Sequence, residues 1–221
     1  MIKDISVVLL GAGKSKRFDT NTLKQNVKIH DKRVIDYSVD FFRKHFNASK
    51  KYFVINKKIQ LKTLTENEHI LYGSTSRLKS LNNCLDYISR NNLQTKYLLV
   101  HDVARPVLNL ADIKKIIREI HKKVDGSTLG YPLTNAVKEV KNNTIYYNIH
   151  KSNLWSTFTP QIFKMEKLYQ SVKACLDENY DVDDDIEALL LNSLKCSMIM
   201  SSPTNIKVTY KSDINYIKKL L

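Results

Sequence analysis

The chain has 221 residues, 43% hydrophobic and 26% charged, with five glycines and four prolines, which is the composition of a globular protein with a real core and excludes collagen-like, low-complexity and disordered classes. Its 36 lysines and arginines against 22 aspartates and glutamates leave a net charge of +14, which favours anionic partners without choosing among phosphates, nucleic acid and an acidic surface. The apolar runs, the longest at residues 5–10, fall far short of the roughly 20 residues a membrane helix needs, and the first residues lack the order of a signal peptide, so a cytoplasmic protein with no membrane association is expected.

In chain order, residues 5–10 form a β-branched apolar run that stops at Gly11, as a strand buried on both faces does, and a loop follows to about residue 23. Residues 34–45 place Val34, Tyr37, Ser38, Phe41 and Phe42 near one helical face, and 51–55 read as a second strand. A short strand at 69–72, a helix at 76–88, a strand at 96–100 and a helix at 110–121 continue the alternation. The rhythm then changes: 131–140 and 144–149 are short β-like runs around Asn142 and Asn143, a hairpin turn that can project as an arm. Helices at 164–176, 184–194 and 212–221 and a strand at 196–200 complete the chain. This alternation predicts one α/β domain over residues 1–221, with a mostly parallel, doubly wound, nucleotide-binding sheet and a β arm at about 131–155. Such sheets bind ligands beyond the carboxyl ends of their strands.

The residues at those ends carry the chemistry. After the first strand come Gly11-Ala12-Gly13-Lys14-Ser15-Lys16-Arg17 and then Lys24-Gln25, where two glycines allow backbone N–H groups close to a phosphate and Lys14, Lys16, Arg17 and Lys24 add charge. The spacing is neither a Walker A loop nor a dinucleotide fingerprint. After the third strand, Gly73-Ser74-Thr75-Ser76-Arg77 and then Ser80 open a helix whose free N–H groups can meet an anion, although Ser76 as a plain helix cap explains the same residues. After the fourth, His101-Asp102-Val103-Ala104-Arg105-Pro106 sets a carboxylate and a guanidinium three apart, either as ligand groups or as an internal Asp102–Arg105 ion pair. No nucleophile elbow accompanies them, and His101, with no ligand-spaced partner, reads as structural. Cys84, Cys175 and Cys196 are odd in number and lack CxxC spacing, so buried thiols are expected rather than disulfides or a zinc site. No basic stripe interleaved with aromatics suggests nucleic-acid binding.

Together these segments resemble the cytidylyltransferases of sugar-alcohol phosphates, above all the methylerythritol phosphate cytidylyltransferase family of isoprenoid synthesis. The likeness spans nearly the whole chain: residues 11–25, 73–77, 101–106, Leu154-Trp155 with 159–163, and 205–209 match five of the family's motifs in order. It implies that Gly11, Ala12 and Gly13 wrap the CTP phosphates, that Arg17 and Lys24 stabilise charge as the acceptor phosphate attacks, and that Gly73, Ser80, Asp102 and Arg105 complete the nucleotide site. It further implies magnesium, with protein ligands left open, and catalytic Lys207 on the acceptor phosphate. It also implies a homodimer in which the arm closes the partner's pocket, with Ala136, Lys138 and Lys151 joining Lys207 around the acceptor. The departures fall mostly on the acceptor side: Asn135-Ala136-Val137-Lys138 replaces Asp-Thr-x-Lys, Lys151 replaces an arginine, and Val182 and Ser74 stand where threonine and glycine are usual. A lysine keeps charge but loses the bidentate grip of arginine. The expected reaction is therefore transfer of CMP from CTP to methylerythritol phosphate. Ribitol phosphate is the alternative acceptor, and a basic nucleotide- or nucleic-acid-binding protein without turnover is the alternative of another class.

Overall fold

A computed structural model describes residues 4–15, 17–19, 21–61 and 64–221; Lys16 lies outside them. The described residues build a seven-stranded sheet from β1 (Ile5–Gly11), β4 (Lys51–Ile55), β5 (Glu68–Tyr72), β6 (Tyr97–Asp102), β7 (Gly126–Pro132), β10 (Trp155–Lys164) and β11 (Cys196–Met200). Their order is β11-β7-β10-β6-β1-β4-β5. Every neighbouring pair is parallel except those made by β10, which runs antiparallel to both β6 and β7.

Because successive side chains of a strand point to opposite faces, an unbroken apolar strand must be covered twice. Val7 and Leu9 of β1, Phe53 and Ile55 of β4 and Leu99 of β6 enter one core with α1 (Val34–His45) and α3 (Leu110–Glu119). Val8, Leu10, Tyr52, Val54, Leu98 and Val100 enter the other, with α2 (Arg77–Arg90), α4 (Met165–Asp177) and α5 (Asp185–Leu191). The sheet is thus wound on both sides, as expected. A third cluster of Phe18, Ile29, Val34, Val208 and Ile217 fastens α6 (Asp213–Lys218) and the segment before it to the region after the first loop. Ile29 belongs to a small hairpin of β2 (Lys28–Ile29) and β3 (Lys32–Arg33) that carried no strand signal.

Two strands differ from the sequence reading. The sequence reading assigns residues 126–130 and 156–163 to no element and counts 131–132 and 155 with the arm, yet β7 and β10 pair with each other along most of their lengths inside the main sheet. The arm proper is β8 (Val137–Lys141) paired with β9 (Thr144–Ile149) as a separate two-stranded sheet. Its turn is the anticipated one: Asn142 and Asn143 both have positive φ, 48° and 61°, the conformation of a type I′ hairpin, which asparagine tolerates better than most residues.

Phe42 lies at the centre of the α1 contact and is fully buried. Phe42→Ala should cost about 3 to 5 kcal/mol of unfolding free energy, measured by urea denaturation, since neither the helix nor the sheet can collapse into the space left.

Candidate active site

Where β1, β5 and β6 end, one cavity of about 280 Å³ opens at the sheet's edge. Gly11, Ala12, Gly13, Arg17, Lys24, Ser80, Asp102 and Lys207 of the expected residues all line it, together with Ser74, Thr75, Ser76 and Arg77. Gly73 lies beneath it. A Cβ on Gly73 would sit 2.0 Å from the Ala12 Cβ, so only glycine lets the second turn lie flush against the first. Ser80 shapes that turn, its Oγ accepting the Ser74 N–H at 2.9 Å and donating to the Ser76 carbonyl at 2.7 Å. Ser76 is a true cap as well, accepting the Lys79 N–H at 3.1 Å, so its cap role and its place on the cavity wall coexist.

Asp102 organises the floor. Its Oδ2 accepts from Lys207 Nζ at 2.6 Å and its Oδ1 from Arg77 Nε at 3.1 Å. Burial disfavours the charged carboxylate, but Arg77 and Lys207 outweigh burial and hold Asp102 well below the usual carboxylate range. Arg77 turns its other face to Asp185 at the start of α5, donating from both terminal nitrogens at 2.5 and 2.9 Å. The alternative Asp102–Arg105 ion pair does not form. Arg105 instead donates to the Asn205 carbonyl at 2.8 Å and stands 5.6 Å from the Phe158 ring, outside the cavity lining, because the chain turns sharply at 102–105 and aims the two side chains apart.

His101 is structural. Burial pushes it down to about 3, so the ring is neutral. The tautomer protonated at Nε2 fits its neighbours: Nε2–H donates to the Arg105 carbonyl at 3.1 Å, with the Ser38 hydroxyl also 3.3 Å from Nε2, and Nδ1 accepts from the Thr159 hydroxyl at 3.2 Å. That hydroxyl in turn accepts the Asp102 N–H at 3.0 Å. Thr159 therefore positions the Asp102 backbone.

Lys24 reaches the cavity from a 3-10 turn (Lys24–Asn26), its Nζ donating to the Val208 carbonyl at 2.6 Å. Val208 N–H is bonded to the Ala104 carbonyl at 2.8 Å, and the N–H groups of Thr209 and Tyr210 both donate to Asp213 at 2.7 Å, so α6 holds the strip that carries Lys207. Ala136, Lys138 and Lys151 are not brought to this cavity within the chain. All three are exposed on or beside the arm, Lys138 donating to Asn148 at 2.5 Å and Lys151 to the Thr134 carbonyl. Arg77, Gln25 and Thr159 lie within the motifs of the sequence without a pattern that marks them as site residues, and Asp185, 108 positions from Arg77, has no local signal at all.

The model of one family, IspD, 2-C-methyl-D-erythritol 4-phosphate cytidylyltransferase, matches residues 5–221. The chain belongs to this family. With it the chain joins a family of CTP-dependent cytidylyltransferases, as its motifs suggested. The chain is 29% identical over 218 residues to the 2-C-methyl-D-erythritol 4-phosphate cytidylyltransferase of Wigglesworthia glossinidia brevipalpis, covering 96% of this chain and 93% of that protein. With the enzyme of the same name from Acinetobacter baylyi it shares 26% over 220 residues, covering 97% and 92%. The crystal structure of Francisella tularensis IspD superposes with a TM-score of 0.88 at 23% identity, covering 99% of this chain and 100% of that one. At that identity the superposition speaks for the fold. No helix among the described residues is long and apolar enough to cross a membrane.

Removing Arg77 leaves two buried carboxylates short of a partner. Arg77→Met should lower stability by about 3 to 5 kcal/mol in urea unfolding, and Arg77→Met combined with Asp185→Leu should recover much of that loss, since an apolar pair carries no uncompensated charge.

Proposed function

We propose that this cavity transfers CMP from CTP to 2-C-methyl-D-erythritol 4-phosphate and releases pyrophosphate. The match of the family model to residues 5–221 carries the reading, and the cavity's chemistry suits it. An oxygen of the acceptor phosphate bonds to the α-phosphorus of CTP, the α–β bridging bond breaks, and its electron pair leaves with pyrophosphate. Such a reaction asks the protein mainly for position and for fixed positive charge where negative charge gathers. Lys24 and Arg17 supply it on the side of the Gly11–Gly13 loop, and Lys207, steered by Asp102, meets the acceptor phosphate. Gly73 and Ser80 shape the nucleotide end, and Arg105 supports the strip at Asn205 from outside the lining.

Magnesium fits this site on one condition. Asp102 is the one carboxylate among the described residues of the cavity wall, and among the described residues no group of three or more His, Cys, Asp or Glu side chains is arranged to hold a metal ion by itself. Magnesium commonly binds through one or two carboxylates plus substrate phosphates, so it would enter with the nucleotide and be held by Asp102. When bound, it neutralises charge shifting to the departing pyrophosphate.

The acceptor side is completed by a second protomer in this reading. Val140, Ile145, Tyr146 and Tyr147 are 53 to 65% exposed on the arm, an apolar cluster that a partner would cover. The arm of one protomer would then carry Ala136, Lys138 and Lys151 to the cavity of the other.

Pyrophosphate release measured with magnesium and each of the four nucleotides, against methylerythritol phosphate and ribitol phosphate, tests the reaction. CTP with methylerythritol phosphate should give the highest kcat/KM; equal use of purine nucleotides, or preference for ribitol phosphate, would overturn the assignment. Lys24→Ala should lower kcat by about 10² to 10³ in a folded protein.

Burial, reinforced by the charge of Lys207, pushes Lys24 down to about 8, with Asp102 opposing. The free enzyme should therefore lose kcat/KM for CTP as pH rises through about 8, and Lys24→Arg should move that fall to higher pH. Native Lys24 releases its proton before an unfolded lysine near 10.5 does, so the same shift makes folding more favourable as pH rises between about 8 and 10.5.

A further inference from the structure

We propose that Gln25 is a positioning residue that aims the amide donors of the Gly11–Gly13 loop at the nucleotide's phosphates, an inference that rests on the nucleotide site proposed above. Gln25 is only 2% exposed, yet no part of its amide is idle. Its Nε2 donates to the Gly11 carbonyl at 2.9 Å and to the Gly13 carbonyl at 3.0 Å. Its Oε1 accepts from the Ser15 hydroxyl at 3.2 Å, and that hydroxyl accepts the Lys24 N–H at 3.1 Å. Ser15 itself sits at φ 58°, in the left-handed region.

The consequence follows from peptide geometry. In a trans peptide the C=O and the N–H point in opposite directions. Tying the Gly11 and Gly13 oxygens to Gln25 therefore turns the N–H groups of Ala12 and Lys14 away from Gln25. Ala12 and Lys14 both line the cavity, and among the described residues neither N–H has a hydrogen-bond partner. Two alternate donors are thus held toward the place where a polyphosphate would lie, as in other backbone phosphate cradles. A loop containing two glycines would otherwise lose its freedom on meeting the ligand; with Gln25 in place much of that loss occurs on folding. Through Ser15 the same network also fixes the backbone of Lys24, so one buried amide sets both the loop and a neighbouring cation.

The test is Gln25→Glu, which keeps the shape but sets a carboxylate oxygen against two carbonyl oxygens. Calorimetric titration with CTP at pH 8 should show affinity about 10- to 100-fold weaker than wild type in a variant that circular dichroism shows to be folded, even if its Tm is lowered, with KM for methylerythritol phosphate within about twofold. Lowering the pH to 6 should narrow the gap to wild type, because the introduced carboxyl group, once protonated, regains one donor, a response that a mere packing defect would not give. A folded Gln25→Glu protein that binds CTP within twofold of wild type at pH 8 would overturn the proposal. Should that variant not fold, Ser15→Ala decides: it leaves both Nε2 bonds of Gln25 in place, frees its Oε1 and the Lys24 N–H, and should weaken CTP about three- to tenfold in a folded protein, and unaltered affinity would refute the role. Wild-type protein that fails to bind CTP overturns the nucleotide site itself, which no result with the variants alone would do.

Discussion

A carboxylate taken out of water stays ionised only where cations close on it, and Asp102 meets that condition with residues from two distant stretches of chain. Arg77 arrives from the first turn of α2 and Lys207 from the strip ahead of α6. Arg77 in turn needs Asp185, which ties α5 to the same cluster. The carboxyl ends of the central strands, two helices on one face and the strip carrying the acceptor lysine are therefore fixed relative to one another by one chain of ion pairs. Packing alone would leave them free to slide by fractions of an ångström, enough to matter where charges must meet a reacting phosphate.

The high net charge resolves into two populations. Lys115 on α3 and Lys122 just after it pair with Asp112 and Glu119 three residues away, and both lysines remain at least half exposed. Such pairs contribute little beyond solubility. At the cavity, by contrast, Lys14, Arg17, Lys24, Arg77 and Lys207 share the lining with a single carboxylate among the described residues, Asp102. Cations left in excess within a partly buried site carry a field that salt screens weakly, which is what a triphosphate would meet there. Lys24 is lowered first by burial and then by the neighbouring charge of Lys207.

The arm stands apart from this rigid centre. Its two strands pair only with each other among the described residues, and its apolar side chains face outward. A hairpin of this size is marginally stable alone in water, so a covering surface would give it order that its own cross-strand pairs do not. The replacements at Ala136 and Lys151 fall on or beside this arm, whereas Ser74, where glycine is usual, lines the cavity itself.

Local pattern alone determined much of the protein. The unbroken β-branched runs of β1, β4 and β6, the 3- and 4-residue spacing of α1, α2 and α3, and the paired asparagines of the arm's turn each specify their own conformation within a few residues. The glycine-bearing turns and the His-Asp-x-x-Arg-Pro segment marked the cavity before its shape was known. Tertiary structure alone placed β7 and β10 in the sheet, since Ser127, Thr128, Thr159, Pro160 and Gln161 carry no apolar alternation. They can be strand because distant partners take up polar groups that would otherwise need water: Ser197 for Ser127, and Thr128 and Asp184 for the Gln161 amide nitrogen. The same holds for the choice of Arg77 over Arg105 as the partner of Asp102, for Asp185, and for the two carbonyls held by Gln25. A hydrogen bond or ion pair between residues far apart in sequence leaves no periodicity behind it, so only the folded chain could decide which of the chemically possible partners meet.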